Sequence, residues 1–129
     1  MGIFTKKTVT PSFLELPCDD EYGYRISGVM DHQDALKQIL GTLKRKDYAD
    51  GWLITYAIIT PQPDESLQVS VHDLPVGCIP SADAHVFARA IKDNNVDLLA
   101  VKVMLKWRPD LPDTKVGVML GWDPYVSYN

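Results

Sequence analysis

The sequence predicts a mostly β fold of the α+β class, a small, strongly curved antiparallel sheet or barrel of about six strands that carries two amphipathic helices. Three observations predict it. Short segments rich in β-branched and aromatic residues recur along the chain, only two segments show helical periodicity, and turn signals separate them. Strong curvature removes the exposed edges that many short strands leave. An open sandwich is the alternative.

The chain begins with an arm, a first strand and a helix. Residues 1–21 form the arm, in which Ser12–Leu16 has the pattern of a short edge strand. A strand follows at 24–29, where Gly28 indicates a bulge or a close backbone approach. Asp31 can cap the next helix, which ends on a basic stretch. Its apolar face consists of Ala35, Leu36, Ile39, Leu40 and Leu43. Its basic end consists of Lys44, Arg45 and Lys46.

Three strands and the second helix follow. Residues 51–60 are too rich in β-branched and aromatic residues for a helix, which predicts a central strand buried on both faces. Residues 61–66 (PQPDES) contain the proline and turn-forming residues that end this strand. Residues 67–72 alternate between apolar and polar, so one face of this strand is exposed to solvent. A turn at 73–75 connects it to the next strand in a hairpin. Ser81 can cap the second helix. Its packed side consists of Ala84, Phe87, Ala88 and Ile91.

Two strands complete the sheet. Apolar residues alternate through 97–107, with Lys102 and Lys106 on the opposite face, and residues 115–122 pair back after a loop. The predicted barrel domain therefore covers residues 22–123, and residues 124–129 form a tail.

Composition limits the class of protein. The 129 residues are 46% hydrophobic, which is ordinary for one globular domain. Domains that bind nucleic acid usually carry a positive charge, whereas the net charge of this chain is −4. The chain has neither the apolar run of a membrane span nor a secretory signal, so we expect no membrane partner and a cytoplasmic location. In that reducing compartment, Cys18 and Cys78 are expected to be free thiols.

Catalytic and metal-binding patterns are absent from the sequence. His32, His72 and His85 have no metal-ligand spacing with one another or with a cysteine. Asp64 and Glu65 are adjacent on one turn, whereas acid–base pairs usually come from separate segments. The sequence therefore predicts a binding module with no metal, no cofactor and no enzymatic activity.

Several segments resemble the HIRAN domain, particularly its small bacterial relatives. They are ISGVMDHQDAL, PQPDESLQVSV and VGCIPSADAHVFARAI, and the similarity extends over roughly 26–122. The resemblance implies a small barrel of the HIRAN, OB and SH3 type that binds the free 3′ end of single-stranded DNA.

The residues with which the family binds DNA are mostly replaced in this chain. The family pattern NPYDPNAIxV has asparagine, tyrosine, aspartate and asparagine where this chain has Thr60, Gln62, Pro63 and Glu65, and Asp64 is one place off. Residues 30–32 stand where the DNA-end-binding members have basic and aromatic side chains. The resemblance therefore implies the scaffold more strongly than the DNA site.

The first hypothesis is binding of single-stranded or end-containing DNA in a groove between the strand near Arg25 and the 61–66 turn. Aromatic side chains near the basic residues can stack bases. The alternative is a solvated charged face with aromatic residues in the core, and the net charge favours that alternative. The candidate DNA-binding residues are Arg25, Asp31, His32, Lys44, Arg45, Gln62, Asp64, Lys102, Lys106 and Arg108, with Tyr22, Tyr24, Tyr48, Trp52 and Trp107 as candidate stacking residues.

The second hypothesis is a protein-interaction adaptor, in a phage or bacterial accessory role, whose barrel has lost DNA-end recognition. Trp122, Tyr125 and Tyr128 give the C-terminal residues the composition of an interface anchor, although the same residues can fold back as an edge segment. A positive groove beside the 61–66 turn favours DNA, and an acidic or apolar surface there favours a protein partner.

Overall fold

A computed structural model describes residues 11–125 of the chain. Strands and helices follow one another in nearly the predicted order. Their bounds are β1 (Phe13–Glu15), β2 (Tyr24–Arg25), α1 (Gln33–Leu40), α2 (Arg45–Asp50), β3 (Trp52–Pro61), β4 (Leu67–Val71), β5 (Leu74–Cys78), α3 (Ala84–Asp93), β6 (Leu98–Lys106) and β7 (Gly117–Leu120).

Six of the strands form one antiparallel, strongly curled sheet in the order β2-β7-β6-β3-β4-β5. The curl brings the two ends of this order together, because Ser27, just after β2, and Cys78 of β5 exchange two backbone hydrogen bonds of 2.8 and 2.9 Å. The predicted small, strongly curved sheet is therefore confirmed. β1 is an addition to it and pairs with β6 in parallel orientation.

Gly77 allows this junction between β5 and the residues after β2. A Cβ at position 77 lies 2.5 Å from the carbonyl oxygen of Ser27 and 2.9 Å from the Cδ1 of Ile26, too close for any side chain. Gly28, which the sequence marked for a close approach, lies beside Gly77 and has a φ of 78°, in the left-handed region that favours glycine. Two glycines therefore face each other where the sheet ends meet.

The core lies inside the curl. The alternating residues of β4 and β6 that were predicted to face inward are buried, and Lys102 and Lys106 face outward as predicted. Phe87 of α3 is fully buried between Tyr24, at a ring distance of 5.7 Å, and Trp122, at 5.1 Å with an edge-on geometry. Helix α3 thus covers one opening of the curl.

The residues from 31 to 50 form two α-helices, so the prediction of one helix is wrong there. Helix α1 begins at Gln33, and Asp31 lies in a 3-10 turn without a capping hydrogen bond. The helix ends where Thr42 donates its hydroxyl to the carbonyl of Ile39 at 2.7 Å. Lys44 then adopts an extended conformation and precedes α2. The basic stretch therefore starts a helix instead of ending one.

The start of α3 also differs from the prediction. The helix begins at Ala84, and Ser81 belongs to a preceding turn in which Pro80 and Ser81 accept backbone hydrogen bonds from Asp83 and Ala84. Ser81 is therefore not the cap. Ala88, placed on the packed side by its spacing, is exposed, because α3 contacts the core mainly along the line of Phe87.

Strand β3 is central, as predicted, but it is not buried on both faces. Its inward residues Ala57 and Ile59 are fully buried, whereas Trp52, Ile54 and Tyr56 are 50%, 39% and 45% exposed. The described helices cover the inner side and the ends of the curl, so the outward residues of β3 face solvent.

We expect Gly77→Ala to lower the free energy of unfolding by about 1–3 kcal/mol, because the new methyl group forces the backbone of Ser27 away from β5. Urea denaturation measures the effect. Gly23→Ala is the matched control, since a Cβ at position 23 has no heavy atom within 4 Å. Equal stability of the two variants contradicts the role given to Gly77.

Candidate interaction surface

The outward side chains of the sheet form one continuous surface, here called the outer face. Strand register places Trp52 opposite Lys106, Ile54 opposite Met104, and Tyr56 opposite Lys102. The outer face is the part of this side that consists of Phe13 and Glu15 from β1, Arg25 from β2, Trp52, Ile54, Tyr56 and Ile58 from β3, Leu98, Ala100, Lys102, Met104 and Lys106 from β6, and Met119 from β7. The polar residues Thr60, Gln68 and Ser70 continue the same side of the sheet toward β4.

The outer face is unusually apolar for a solvent-exposed surface. Seven large hydrophobic side chains are exposed in residues 11–125, and Phe13, Trp52, Ile54 and Tyr56 of this face are four of them. Ile58, Met104 and Met119 fill the space between them and are half-buried. A contiguous exposed apolar patch of this kind is typical of a binding surface, since scattered single residues do not need such an explanation.

The outer face carries charges of both signs. Its cations are spread along the sheet from the strand position of Trp52 to that of Tyr56, and they are Lys106, Arg25 and Lys102. Glu15 and Asp73 border an apolar pocket beside Tyr56, here called the acidic pocket. The chain as a whole is acidic, so the three cations on this face are a local feature of this surface.

The acidic pocket has a volume of about 600 Å³. Phe13, Ile58 and Leu98 supply its apolar walls, and Glu15 and Asp73 stand at its border. The hydroxyl of Tyr56 donates to the carboxylate of Glu15 at 3.1 Å, which fixes the Tyr56 ring across the face. The pocket can take an apolar side chain that carries a positive charge or a hydrogen-bond donor at its tip.

The groove beside the 61–66 turn has a different character. It has a volume of about 440 Å³, and Ser27, Asp64, Glu65 and Cys78 are among its lining residues, with no lysine or arginine. Hydrogen bonds from the hydroxyl and backbone N–H of Ser66 lower the pKa of Asp64, so its carboxylate remains charged. The surface beside the 61–66 turn is therefore acidic. The sequence predicted that an acidic surface there favours a protein partner over DNA.

The structure separates the ten candidate DNA-binding residues. Only Arg25, Lys102 and Lys106 share the outer face, together with the stacking candidate Trp52. The remaining candidates lie elsewhere: Lys44 and Arg45 at the start of α2, Asp31 and His32 in the 3-10 turn, and Gln62 and Asp64 in the 61–66 turn.

Other interactions within the chain occupy several of these candidates. The guanidinium of Arg108 donates two hydrogen bonds, of 3.1 and 2.8 Å, to the carboxylate of Asp110, which raises the pKa of Arg108. The side-chain amide of Gln62 donates to the carbonyl of Thr60 at 3.3 Å, and a ring nitrogen of His32 lies 2.9 Å from the carbonyl oxygen of Gly28.

Most of the candidate stacking residues belong to the core. Tyr22, Tyr24 and Trp107 are buried, and Tyr48 is half-buried and packs on Trp107 at a ring distance of 5.7 Å. The indole N–H of Trp107 donates to the carbonyl of Tyr48 at 3.0 Å. Among these five aromatic residues, therefore, only Trp52 is open to a ligand.

The described C-terminal residues fold back on α3. Trp122 packs against Phe87, and the hydroxyl of Tyr125 donates to the carboxylate of Asp83, which also accepts a hydrogen bond of 2.5 Å from the hydroxyl of Tyr24. The Tyr125 side chain remains 72% exposed despite this bond. Tyr128, the third predicted partner-binding residue, lies outside the described residues.

Several residues of the outer face were missed by sequence reasoning. Ile54 and Ile58 were assigned to the interior because β3 is apolar on both faces, and Met104 of β6 was not named as a candidate. A signal was nevertheless present, since two amphipathic helices are too few to cover both sides of a six-stranded sheet. Glu15 and Asp73 were missed because only the fold brings β1 and the β4–β5 turn to one pocket.

Metal-binding and membrane-spanning features were searched in residues 11–125. No group of three or more histidine, cysteine or acidic side chains is arranged to hold a metal ion there. Helices in the same part of the chain are too short and too polar to cross a membrane. Cys18 and Cys78 are separate free thiols.

Comparisons of the chain with protein-family models, with curated proteins and with solved structures found no match.

The Asp83 cluster makes a prediction about pH. The hydroxyls of Tyr125 and Tyr24 donate to the Asp83 carboxylate and lower its pKa, so its contribution to stability is present above the ordinary aspartate pKa of about 3.9. That contribution is lost as the pH falls through the lower pKa of the folded state. We therefore expect wild type to be more stable than Asp83→Asn at about pH 7, with the difference shrinking at about pH 3.

Urea denaturation at the two pH values measures this difference. Tyr125→Phe removes one of the two donors to Asp83, so we expect it to reproduce part of the loss at neutral pH. A difference between wild type and Asp83→Asn that stays constant with pH contradicts the assignment.

Proposed function

We propose that this protein is a non-enzymatic protein-interaction module that binds its partner through the outer face. One observation carries the proposal: Trp52, Ile54 and Tyr56 are exposed side by side on the central strand of a sheet that no described helix covers on this side. Tryptophan and tyrosine are the residues most enriched among those that dominate protein-binding energies. Burial of one large apolar side chain contributes about 1.5–3 kcal/mol.

The charges of the outer face define the chemistry of the partner. The partner's surface has an apolar centre that meets Trp52, Ile54 and Tyr56, and acidic groups that meet the three cations of the outer face. A basic group of the partner meets Glu15 and Asp73 at the acidic pocket. Charges at the rim of an interface contribute mainly to orientation and association rate, so the apolar centre supplies most of the affinity.

The proposal includes the biological setting expected from the sequence. A HIRAN-like scaffold without the family's DNA-gripping residues is consistent with an adaptor, and two free thiols are consistent with a cytoplasmic protein. Fold resemblance alone does not determine function, so the outer face remains the basis of the proposal.

Single-stranded DNA is the second candidate, and one observation favours it. Lys106 lies directly opposite Trp52 and Lys102 directly opposite Tyr56, which pairs a cation with each of two exposed rings, as on surfaces that stack bases. Two features weigh against DNA. Glu15 binds the Tyr56 hydroxyl, and the groove beside the 61–66 turn, where DNA was expected, is acidic.

The proposal predicts a peptide-binding activity located on the outer face. Selection from a random peptide display library on the wild-type protein should enrich peptides with apolar and acidic residues. We expect Ile54→Asp to weaken their binding at least about tenfold, because it places a charge at the apolar centre. Met30→Asp is the control, since Met30 is 63% exposed but lies in the 3-10 turn, outside this face.

A DNA titration separates the two candidates. Fluorescence anisotropy with single-stranded oligonucleotides that have free 3′ ends, at low salt, should show no binding that depends on the outer face. Binding that falls steeply with salt and is lost in Lys102→Glu/Lys106→Glu supports the DNA candidate instead. Peptides that bind wild type and both aspartate variants equally contradict the protein-binding role of the face.

A further inference from the structure

We propose that the partner binds as an extended segment that adds a strand to the sheet, alongside residues 52–56 of β3. This inference rests on the proposed function, because it names the form in which the partner meets the outer face. It follows from backbone hydrogen-bonding groups that the sheet leaves unpaired. An extended segment supplies donors and acceptors at the spacing that such a strand edge presents.

Strand β4 is too short to cover the whole of β3. It pairs with β3 only from Ala57 to Pro61. It then turns back into β5 at His72 and Asp73, whose φ angles of 50° and 65° are those of a tight hairpin turn. Residues 52–56 of β3 therefore have β6 on one side and no described strand on the other side, which is here called the open edge.

The register shows which backbone groups lie at the open edge. Trp107 donates its N–H to the carbonyl of Gly51 at 3.0 Å, so the odd-numbered residues of β3 direct their backbone groups toward β6. The backbone groups of Trp52 and Ile54 therefore point to the open edge, and they form no hydrogen bond with any described residue. Because an unpaired backbone group is costly to bury, these groups require either solvent or a partner strand.

The open edge lacks the features with which proteins protect exposed strands. Residues 52–56 are WLITY, without proline and without charge. Strand β1, whose other side is also unpaired, is short, carries Glu15 and lies between Pro11 and Pro17. Among the described helices, α2 contacts β3 most, and it leads directly into the strand, so no described helix takes the place of a neighbouring strand. The contrast with β1 indicates that the open edge serves for binding.

The burial of side chains along β3 agrees with a missing neighbour. Leu53 and Thr55 point to the inner side of the sheet, yet they are only half-buried. Ala57 and Ile59, on the same side but next to β4, are fully buried. An added strand therefore covers two side chains that the described part of the chain leaves partly exposed.

The geometry of the open edge defines the chemistry of the partner segment. The partner residue opposite Ile54 exchanges two backbone hydrogen bonds with it and places its own side chain on the outer face, so we expect that side chain to be apolar. Antiparallel pairing, the more stable arrangement, places the amino-terminal end of the segment near the β4–β5 turn. Asp73 in that turn favours a basic residue at this end of the segment.

Amide hydrogen exchange, measured residue by residue by NMR, tests the open edge directly. In the free protein, we expect the N–H groups of Leu53 and Thr55, which face β6, to exchange at least about tenfold more slowly than those of Trp52 and Ile54. The probe is the tightest-binding peptide selected on the wild-type protein from the display library. With this peptide in excess, the exchange of Trp52 and Ile54 should slow at least about tenfold.

Ile54→Pro tests the contribution of the backbone to peptide binding. Proline removes an N–H that points to the open edge, so the hydrogen bonds between β3 and β6 remain in place. Ile54→Val is the matched variant, because valine is close to proline in size and keeps the N–H. We expect the same peptide to bind Ile54→Pro at least about threefold more weakly than Ile54→Val, since one hydrogen bond is lost. Circular dichroism verifies that both variants fold, and the exchange measurement tests the inference independently of them.

Three outcomes overturn the inference. The first is fast exchange of Trp52 and Ile54 that persists when the peptide saturates the protein, and the second is equal affinity of the peptide for the proline and valine variants. The third is slow exchange of Trp52 and Ile54 without peptide. If that slow exchange develops only as the protein concentration rises to about 1 mM, the open edge binds a second copy of the chain instead.

Failure of the inference is distinguishable from failure of the proposed function. A peptide that passes neither test of the open edge but loses affinity for Ile54→Asp leaves the outer face as a binding site and removes only the added strand. The absence of any selected peptide removes both.

Discussion

The antiparallel ladder between β3 and β6 is the constraint on which the rest of this structure depends. Eight residue pairs fix its register, from Trp52 opposite Lys106 to Ile59 opposite Leu99. Because side chains alternate between the two faces of a strand, this register places Ala57 in the core and Tyr56 in solvent. A slip of one residue by either strand exchanges its core and solvent residues, so a well-packed interior and the present outer face require the same pairing.

The sequence was sufficient to predict the elements whose periodicity has one interpretation. In β4, apolar and polar residues alternate, and in β6 two lysines mark the outward side, so the inward residues and the outward lysines were identified correctly. Strand β3 lacks this alternation because Ile54 and Ile58 are as apolar as Ala57 and Ile59. Periodicity alone does not distinguish a strand covered on both faces from one whose second face binds a partner.

The helix boundaries and the candidate site depend on contacts between residues that are distant in the chain. Ser81 favours the N-cap by residue type, yet α3 begins later, beside an Asp83 carboxylate that accepts a hydrogen bond from Tyr24, 59 residues away. Local preference cannot anticipate such a bond. In the same way, the parallel pairing of β1 with β6 brings Glu15 to the pocket that Asp73 borders. The arm therefore contributes to the outer face.

The position of the charges bears on what the outer face recognises. A net charge of −4 disfavours nucleic acid as a general property of this chain, whereas the three cations of the outer face form a local exception. If phosphate were the target, carboxylates within the same surface would oppose binding, and Glu15 lies on that surface with its carboxylate held by Tyr56. A protein surface can present both signs of charge, so it can meet the cations and the carboxylates of the outer face together. This physical difference makes the protein partner the stronger explanation of the same side chains.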